Sequence, residues 1–498
     1  MSLSPEDLQD LITNGWRLTP ATCAHKITGG RWIPAKHLLH LSNIIAREIR
    51  KGGARILVSM PPRHGKSEFL SVHTSTWHLE EWPELFVMLL SYGLDLSTDF
   101  SFRVRNHFTH EDYSHLLTTR IVPDRMRVER FVTTAGGGMT AAGIGGVITG
   151  RGAHLMLIDD YIKNAEDALS KNQRDKTWEW FKSTAYTRLE PGGNMVITAT
   201  RWDLDDLIGR CLSEMPNENW IVIKLSAFAG KNDVLGRQVG EPLWPERYPV
   251  EELQKIKDAL GTYWWEAMYQ QNPLESMSDF QLGNMLKVID IEDLPHPNNL
   301  KYVRSWDLAS SEDKGDYTAG PKLAVHAKAG SDNIYILDMQ HFREKPATTQ
   351  DNIERTAMED GNGVSIWMEQ EPGSSGKTVI ETYETKVLKG FSFRGEKPTG
   401  RIEVRAQPFL AAVERGNVFM VRAGWNEALR KEVNAFPMGD HDDQISALAL
   451  GYHKLVRTKF KGVTWGRDSQ MQDSISGLRS KHFGNLQKKA NQRKGVTW

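Results

Sequence analysis

Residues 59–69 read "SMPPRHGKSEF", and the fold turns on what that stretch is. Gly65-Lys66-Ser67 is how a phosphate-binding loop ends. The usual spacing, Gly, four residues, then Gly-Lys-Ser/Thr, puts Met60 where the first Gly belongs. Such a loop surrounds phosphate with backbone N–H groups and a helix N-terminus, while its Lys reaches the outer phosphates and its hydroxyl holds Mg²⁺. It therefore needs a strand before it and a helix after it. "ARILVSM" (54–60) is a β-rich run that stops at Pro61-Pro62, and "SEFLSVHTSTWHLEEW" (67–82) has a helical pattern. The context fits, with Gly65, Lys66 and Ser67 on phosphate and Ser67 also on the metal.

Further out, "LFVMLLSYG" (85–93), "HLMLIDD" (154–160) and "GGNMVITATRW" (192–202) read as buried strands with helical segments between them. That alternation predicts a parallel sheet covered on both faces. The Gly-rich segment 134–153 reads as a hairpin or loop. "LMLIDD" is an apolar strand ending in two carboxylates, as a Walker B strand does. Asp159 would reach Mg²⁺ through water, and Asp160 would orient or deprotonate the attacking water. "ITATR" (197–201) ends a strand in small hydroxyl residues near the γ-phosphate.

The chain has 498 residues, enough for two or more domains. Its 62 basic and 63 acidic residues balance to −1, so a nucleic-acid partner would need a local basic surface rather than net charge. No apolar run reaches the roughly 18 residues of a membrane span, and no secretory signal is visible at the N-terminus. Cys23 and Cys211 are the only cysteines, which argues against a disulfide framework and for a cytosolic default. The text changes character after "WIVIKLSAF". Residues 1–273 form the first unit, with "LWPERYP" opening a helical connector. Residues 274–300 read as a linker, 301–457 as a second α/β unit, and 458–498 as a basic, flexible tail with "KGVTW" at 461–465 and 494–498.

Three acidic clusters mark the second unit. Asp307 ends the apolar strand "VRSWDLA", Glu369 lies within "IWMEQE", and Asp442 and Asp443 open a helix. A carboxylate inside an apolar strand is costly unless paired, and a hard cation such as Mg²⁺ is a natural partner. Acids from two strands and a helix start could hold two metals about 4 Å apart and stabilise the attacking and leaving oxygens of phosphodiester hydrolysis. The strand, hairpin, strand, helix order suits an RNase H-like fold. Asp316 and Glu371 rank as alternates.

Together "MPPRHGKSE", "GRGAHLMLIDD", "TATRWDLDDL", "LWPERYP", "YQQNP", "SWDLA" and "HDDQISALA" resemble the large terminase subunit of a tailed bacteriophage, over residues 30 to 456. The resemblance implies an α/β chain with an N-terminal P-loop ATPase domain of RecA/ASCE type and a C-terminal RNase H-like nuclease. ATP hydrolysis would drive double-stranded DNA into a procapsid, and a metal-dependent endonuclease would cut the concatemer. Lys66 and Ser67 would bind phosphate and Mg²⁺, Asp159 and Asp160 would form the Walker B pair, and "TATR" (198–201) would be the coupling motif. Asp307, Glu369 and Asp442 would be the nuclease acids, with Asp443 a further metal ligand and Mn²⁺ able to replace Mg²⁺. Trp32, Pro34 and His37 could form a wall against adenine. Arg63 and Arg151 both stand as candidates for the arginine that meets γ-phosphate charge. The implied partners are DNA, a portal protein, a small terminase subunit and further copies in a ring of five, in the host cytoplasm and away from membranes. Two features depart from relatives: Asp160 replaces a common Glu, and Ser446 stands where another Asp is frequent. A helicase-nuclease of DNA repair and a non-catalytic portal-binding protein are the rival readings.

Overall fold

In this computed structural model the described residues are 15–146, 148, 152–274, 277–309, 316–326, 332–437 and 439–456. Arg151 and the tail beyond Val456 lie outside them. They form two sheets, each with helices packed on it. No helix among the described residues is long and apolar enough to cross a membrane.

The first sheet has eight strands: β1 (Arg55–Ser59), β2 (Phe86–Ser91), β3 (Ile121–Met126), β4 (Arg130–Thr133), β5 (Gly138–Gly143), β6 (Ala153–Asp159), β7 (Leu189–Ala199) and β8 (Ile221–Lys224). Their order is β3-β4-β5-β2-β6-β7-β1-β8. From β5 to β8 every neighbouring pair is parallel. Parallel strands are covered on both faces, which is why β1, β2 and β6 read as near-continuous apolar runs. The helix Lys36–Lys51 turns Leu38, Leu41, Ile45 and Ile49 inward, the spacing of one helical face, and they join the core beside β1.

Strand β7 lies between β6 and β1. Its register sets Ala199 opposite Ser59 and Thr198 opposite Asp159. The aspartates at the end of β6 are thus two strands from the loop after β1, about 10 Å across the sheet, within reach of an extended lysine. The Gly-rich stretch is more than a hairpin or loop. Residues 138–143 form β5, antiparallel to β4 on one side and parallel to β2 on the other. Glycine is required at 137, where a Cβ would stand 2.3 Å from the Leu85 carbonyl oxygen.

The second sheet has seven strands: β9 (Lys287–Ile289), β10 (Leu300–Trp306), β11 (Thr318–His326), β12 (Ile334–Phe342), β13 (Val364–Glu369), β14 (Phe393–Glu396) and β15 (Val418–Val421). The order is β14-β13-β10-β11-β12-β15-β9. Strands β10, β11 and β12 form an antiparallel meander, and β13 runs parallel to β10. The helix Asp443–Val456 lies over β10 and β11, close enough that a Cβ at Gly451 would meet Ser305 Oγ at 2.5 Å. The segment read as a linker is partly built into this sheet: β9 pairs with β15, and Leu282 and Leu286 are buried in its core.

Between the sheets runs the helix Val250–Trp264, broken at Gly261 with φ 73°. Just past the break, Thr262 N–H donates to Glu414 Oε2 at 2.8 Å, at the end of the helix Gln407–Glu414. Arg415 also reaches back to the carbonyl of Asp258. The connector is thereby docked on the second domain.

Candidate active sites

The loop after β1 is braced on several sides. His37 is fully buried, and its Nε2 lies 2.9 Å from the carbonyl oxygen of His64. The His64 ring stacks on Tyr248 at 4.6 Å, and His37 meets Trp244 edge-on at 5.4 Å. Burial pushes His64 down to about 4, so it stays neutral and packs as an aromatic. Thr200 Oγ1 donates to the Met60 carbonyl at 3.3 Å. Gly65 has φ +89°, and a Cβ there would stand 3.0 Å from Leu38, so backbone conformation and space both call for glycine. His37 therefore stands behind the loop, not at an open base-binding face, because the helix Lys36–Lys51 turns it inward. Trp32 lies flat, 6.1 Å from Phe69, and edge-on to His73 at 4.8 Å. "LWPERYP", singled out without a role, supplies Trp244 and Tyr248 to this brace.

Lys66 is buried and ion-paired with Asp160, with Asp159 Oδ1 at 3.9 Å. Asp159 is fully buried and its Oδ2 accepts from Ser71 Oγ at 2.7 Å. Burial, then the charge of Asp160, pushes Asp159 up to about 6, while Lys66, Ser71 and Ser67 oppose the rise. Asp160 has φ 48°, a left-handed conformation that costs a non-glycine residue energy and clusters at functional sites. Its N–H donates to the Thr198 carbonyl at 3.1 Å, which turns the pair toward the loop. Asp159 Oδ1 and Thr198 Oγ1 are buried with no hydrogen-bond partner. Unpartnered oxygens beside a lysine and a helix N-terminus fit a phosphate with its cation. Arg63 is exposed at φ 62°, on the outer side of the loop.

The "TATR" segment (198–201) is held by the connector. Arg201 N–H donates to Gln271 Oε1 at 3.1 Å, and Arg201 Nε donates to the buried Asp206 at 2.7 Å. Phe228 N–H donates to Gln270 Oε1 at 2.9 Å. Both glutamines of "YQQNP" therefore grip backbone of the first domain.

In the second domain Asp307 follows β10, its backbone exchanging two 2.9 Å hydrogen bonds with Ala319. Register brings Trp306 opposite Met368, so Asp307 and Glu369 stand side by side one step on. Burial, then the charge of Glu369, pushes Asp307 up to about 8. Asp443 opens the helix above them and also raises Asp307. Its own carboxyl is raised by burial, and its Oδ2 is buried without a hydrogen-bond partner. Asp442 is also raised, by burial first and then by Glu403 and Asp316, which face it from elsewhere. The charge of Asp443 thus bears on Asp307, while Glu403 and Asp316 bear on Asp442.

Two contacts here were not legible in the sequence. Ser446 Oγ donates to Glu369 Oε2 at 3.1 Å and also helps hold the Asp307 charge. Arg405 donates from Nη1 to the same Glu369 oxygen at 2.8 Å. Among the described residues no group of three or more His, Cys, Asp or Glu closes tightly enough to hold a metal ion. The donor set still fits a hard cation: adjacent carboxylates, one unpartnered buried oxygen, and acids held above their ordinary range by burial and then by the charges of neighbouring acids.

A family model described as "Terminase RNaseH-like domain" matches residues 304–455. That span covers most of the second domain. The large terminase of the thermophilic bacteriophage D6E is 10% identical, with 85% of this chain and 100% of that chain covered at a TM-score of 0.50. The same terminase solved in complex with ADP matches at 11% identity, 83% and 96% coverage and a TM-score of 0.46. The Mn-soaked, inhibitor-bound nuclease domain of human cytomegalovirus terminase matches at 10% identity, 36% and 94% coverage and 0.28. No curated protein matches the chain. The resemblance to a large terminase subunit and the two-domain α/β fold it implied are both borne out.

Proposed function

We propose that this chain, whose second domain matches the terminase RNase H-like family model, is the ATP-driven motor and nuclease that packages viral DNA. The observation that carries the reading is the pairing of two sites on one chain. Lys66 meets Asp159 and Asp160 in the first domain, and in the second Asp307 stands beside Glu369 with the charges of Glu369 and Asp443 both acting on it.

At the first site Lys66 leaves Asp160 for the outer phosphates of ATP when nucleotide binds, which frees the Asp160 carboxylate to orient water and accept its proton. Ser67 and Asp159 would hold the Mg²⁺ that accompanies the phosphates. Arg63 or Arg151 would meet the charge that develops on the transferred phosphoryl group. Gln271 holds the end of β7, the one strand between the P-loop strand and the Walker B strand. A shift at the phosphates can thus reach the connector through that hydrogen bond.

At the second site Asp307, Glu369 and Asp443 would hold the divalent cation, Mg²⁺ or Mn²⁺. When bound it supplies charge for the attacking and leaving oxygens of phosphodiester hydrolysis. Ser446 fixes the rotamer of Glu369. The substrate is double-stranded DNA. The partners are a portal, a small terminase subunit and sister copies in a ring, probed most simply as host-cytoplasmic assembly on a procapsid.

The test is ATP hydrolysis with and without DNA, followed by packaging into purified procapsids. Lys66→Ala in the full chain should lose ATP turnover by at least about a hundredfold and lose packaging, while nicking of plasmid DNA with Mn²⁺ persists. ATP turnover unchanged in Lys66→Ala would refute the motor assignment, and nicking that vanishes with it would refute the separation of the two sites.

A further inference from the structure

The acids of the second domain are not alone in their cleft. Arg405 ends the short helix Ile402–Arg405 and donates to Glu369 Oε2 at 2.8 Å. The same guanidinium lowers the carboxyl groups of Asp307 and Asp442 through its charge. One cation thus bears on three of the acids that would otherwise repel each other. That is the electrostatic task a divalent cation performs in such a cluster. Arg405 is held on one side only: its Nε is buried with no hydrogen-bond partner, and its side chain keeps 21% exposure. A guanidinium satisfied on both faces would be fixed, whereas this one can leave toward solvent.

Resting on the metal-dependent nuclease reading above, we propose that Arg405 is a built-in counter-ion that competes with the divalent cation for Glu369. In this arrangement the nuclease stays closed at low metal, and Arg405 must swing out of the cleft before the cation seats. The residue also lies just before the helix Gln407–Glu414, whose last residue grips the connector at Thr262.

The test is Mn²⁺ binding to the full chain without nucleotide, by calorimetry or electron paramagnetic resonance. The nuclease-site signal is the binding that Asp307→Asn removes. Arg405→Gln should tighten that binding by about fivefold, the scale of one partly exposed ion pair, and should lower the Mn²⁺ needed for half-maximal nicking by the same factor. Arg405→Lys keeps the charge but loses the planar fork and should fall between the two. It serves as the decisive variant if Arg405→Gln does not fold. Mn²⁺ binding that is unchanged or weaker in a folded variant overturns the proposal, including the case where nicking is lost with binding intact, which would make Arg405 a catalytic residue. If the native chain has no Mn²⁺ site that Asp307→Asn removes, the underlying nuclease reading fails as well.

Discussion

Replacing Asp307 by Asn should make the metal-free protein more stable, and only at high pH. Asp307 is raised from its ordinary 3.8 to about 8 by burial and by the charge of Glu369. A folded pKa above the unfolded one means that folding favours the protonated form. The cost is absent below about pH 4, grows as pH climbs, and is complete above about pH 8. At about 1.4 kcal/mol per unit the ceiling is about 6 kcal/mol. Water entering the cleft and relaxation of Glu369 and Asp443 reduce this, and about 2–3 kcal/mol is expected. That raises the melting temperature of the second domain by roughly 5–10 °C. Calorimetry of native chain and Asp307→Asn in EDTA at pH 4 and pH 8.5 reads it directly. The two proteins should differ by less than about 1 kcal/mol at pH 4 and by the full amount at pH 8.5. Saturating Mn²⁺ at pH 8.5 should reverse the order, because only the native chain gains from binding. An equal gain at both pH values, or none at pH 8.5, would refute the reasoning.

Asp443→Asn should cut nicking by at least about a hundredfold while Asp442→Asn costs less than about tenfold, since the charge of Asp443 raises Asp307 while Asp442 is raised by Glu403 and Asp316; a plasmid-nicking series ranks them, and the reverse order sinks the assignment. Gln271→Ala leaves the Arg201 N–H without its partner and should destabilise the first domain by about 1–3 kcal/mol. It should also uncouple DNA from ATP turnover, checked by DNA-stimulated phosphate release; stimulation equal to the native chain would remove Gln271 from the coupling. Arg151→Ala should lower turnover by orders of magnitude with ATP still bound; near-normal turnover would pass the role to Arg63.

The strands with strong apolar runs and the motifs at their ends were legible because their chemistry is local. "ARILVSM" and "HLMLIDD" carry both the burial pattern and the polar residues that follow. β5 was not, because "GMTAAG" has neither the bulk nor the branching of a strand. Its two ends need glycine because a Cβ at Gly138 would stand 2.2 Å from the Phe131 carbonyl oxygen and one at Gly143 2.9 Å from the Leu94 nitrogen. β9 was hidden by shortness: three residues show no period, and only β15, over a hundred positions later, makes them a strand. Separation in sequence also hid Arg405, whose partner Glu369 lies 36 residues away. His37 reads in the sequence as part of a wall against adenine, and only the tertiary path of the P-loop reveals that it is buried against the His64 carbonyl. Nothing in "HDDQIS" says which aspartate faces Asp307, since the start of a helix can turn either one inward.

The pairing of β9 with β15 has a practical bearing on how the molecule can be divided. A nuclease fragment begun at residue 300 would leave out Leu282, Leu286 and the whole of β9, stripping apolar side chains from the core and baring the free side of β15. A naked strand edge of this kind, Val418–Val421 with Phe419 within it, invites pairing with another chain. Such a fragment would be recovered as aggregate, and its inactivity would say nothing about the acids it carries. A fragment begun near residue 274 would keep the edge covered.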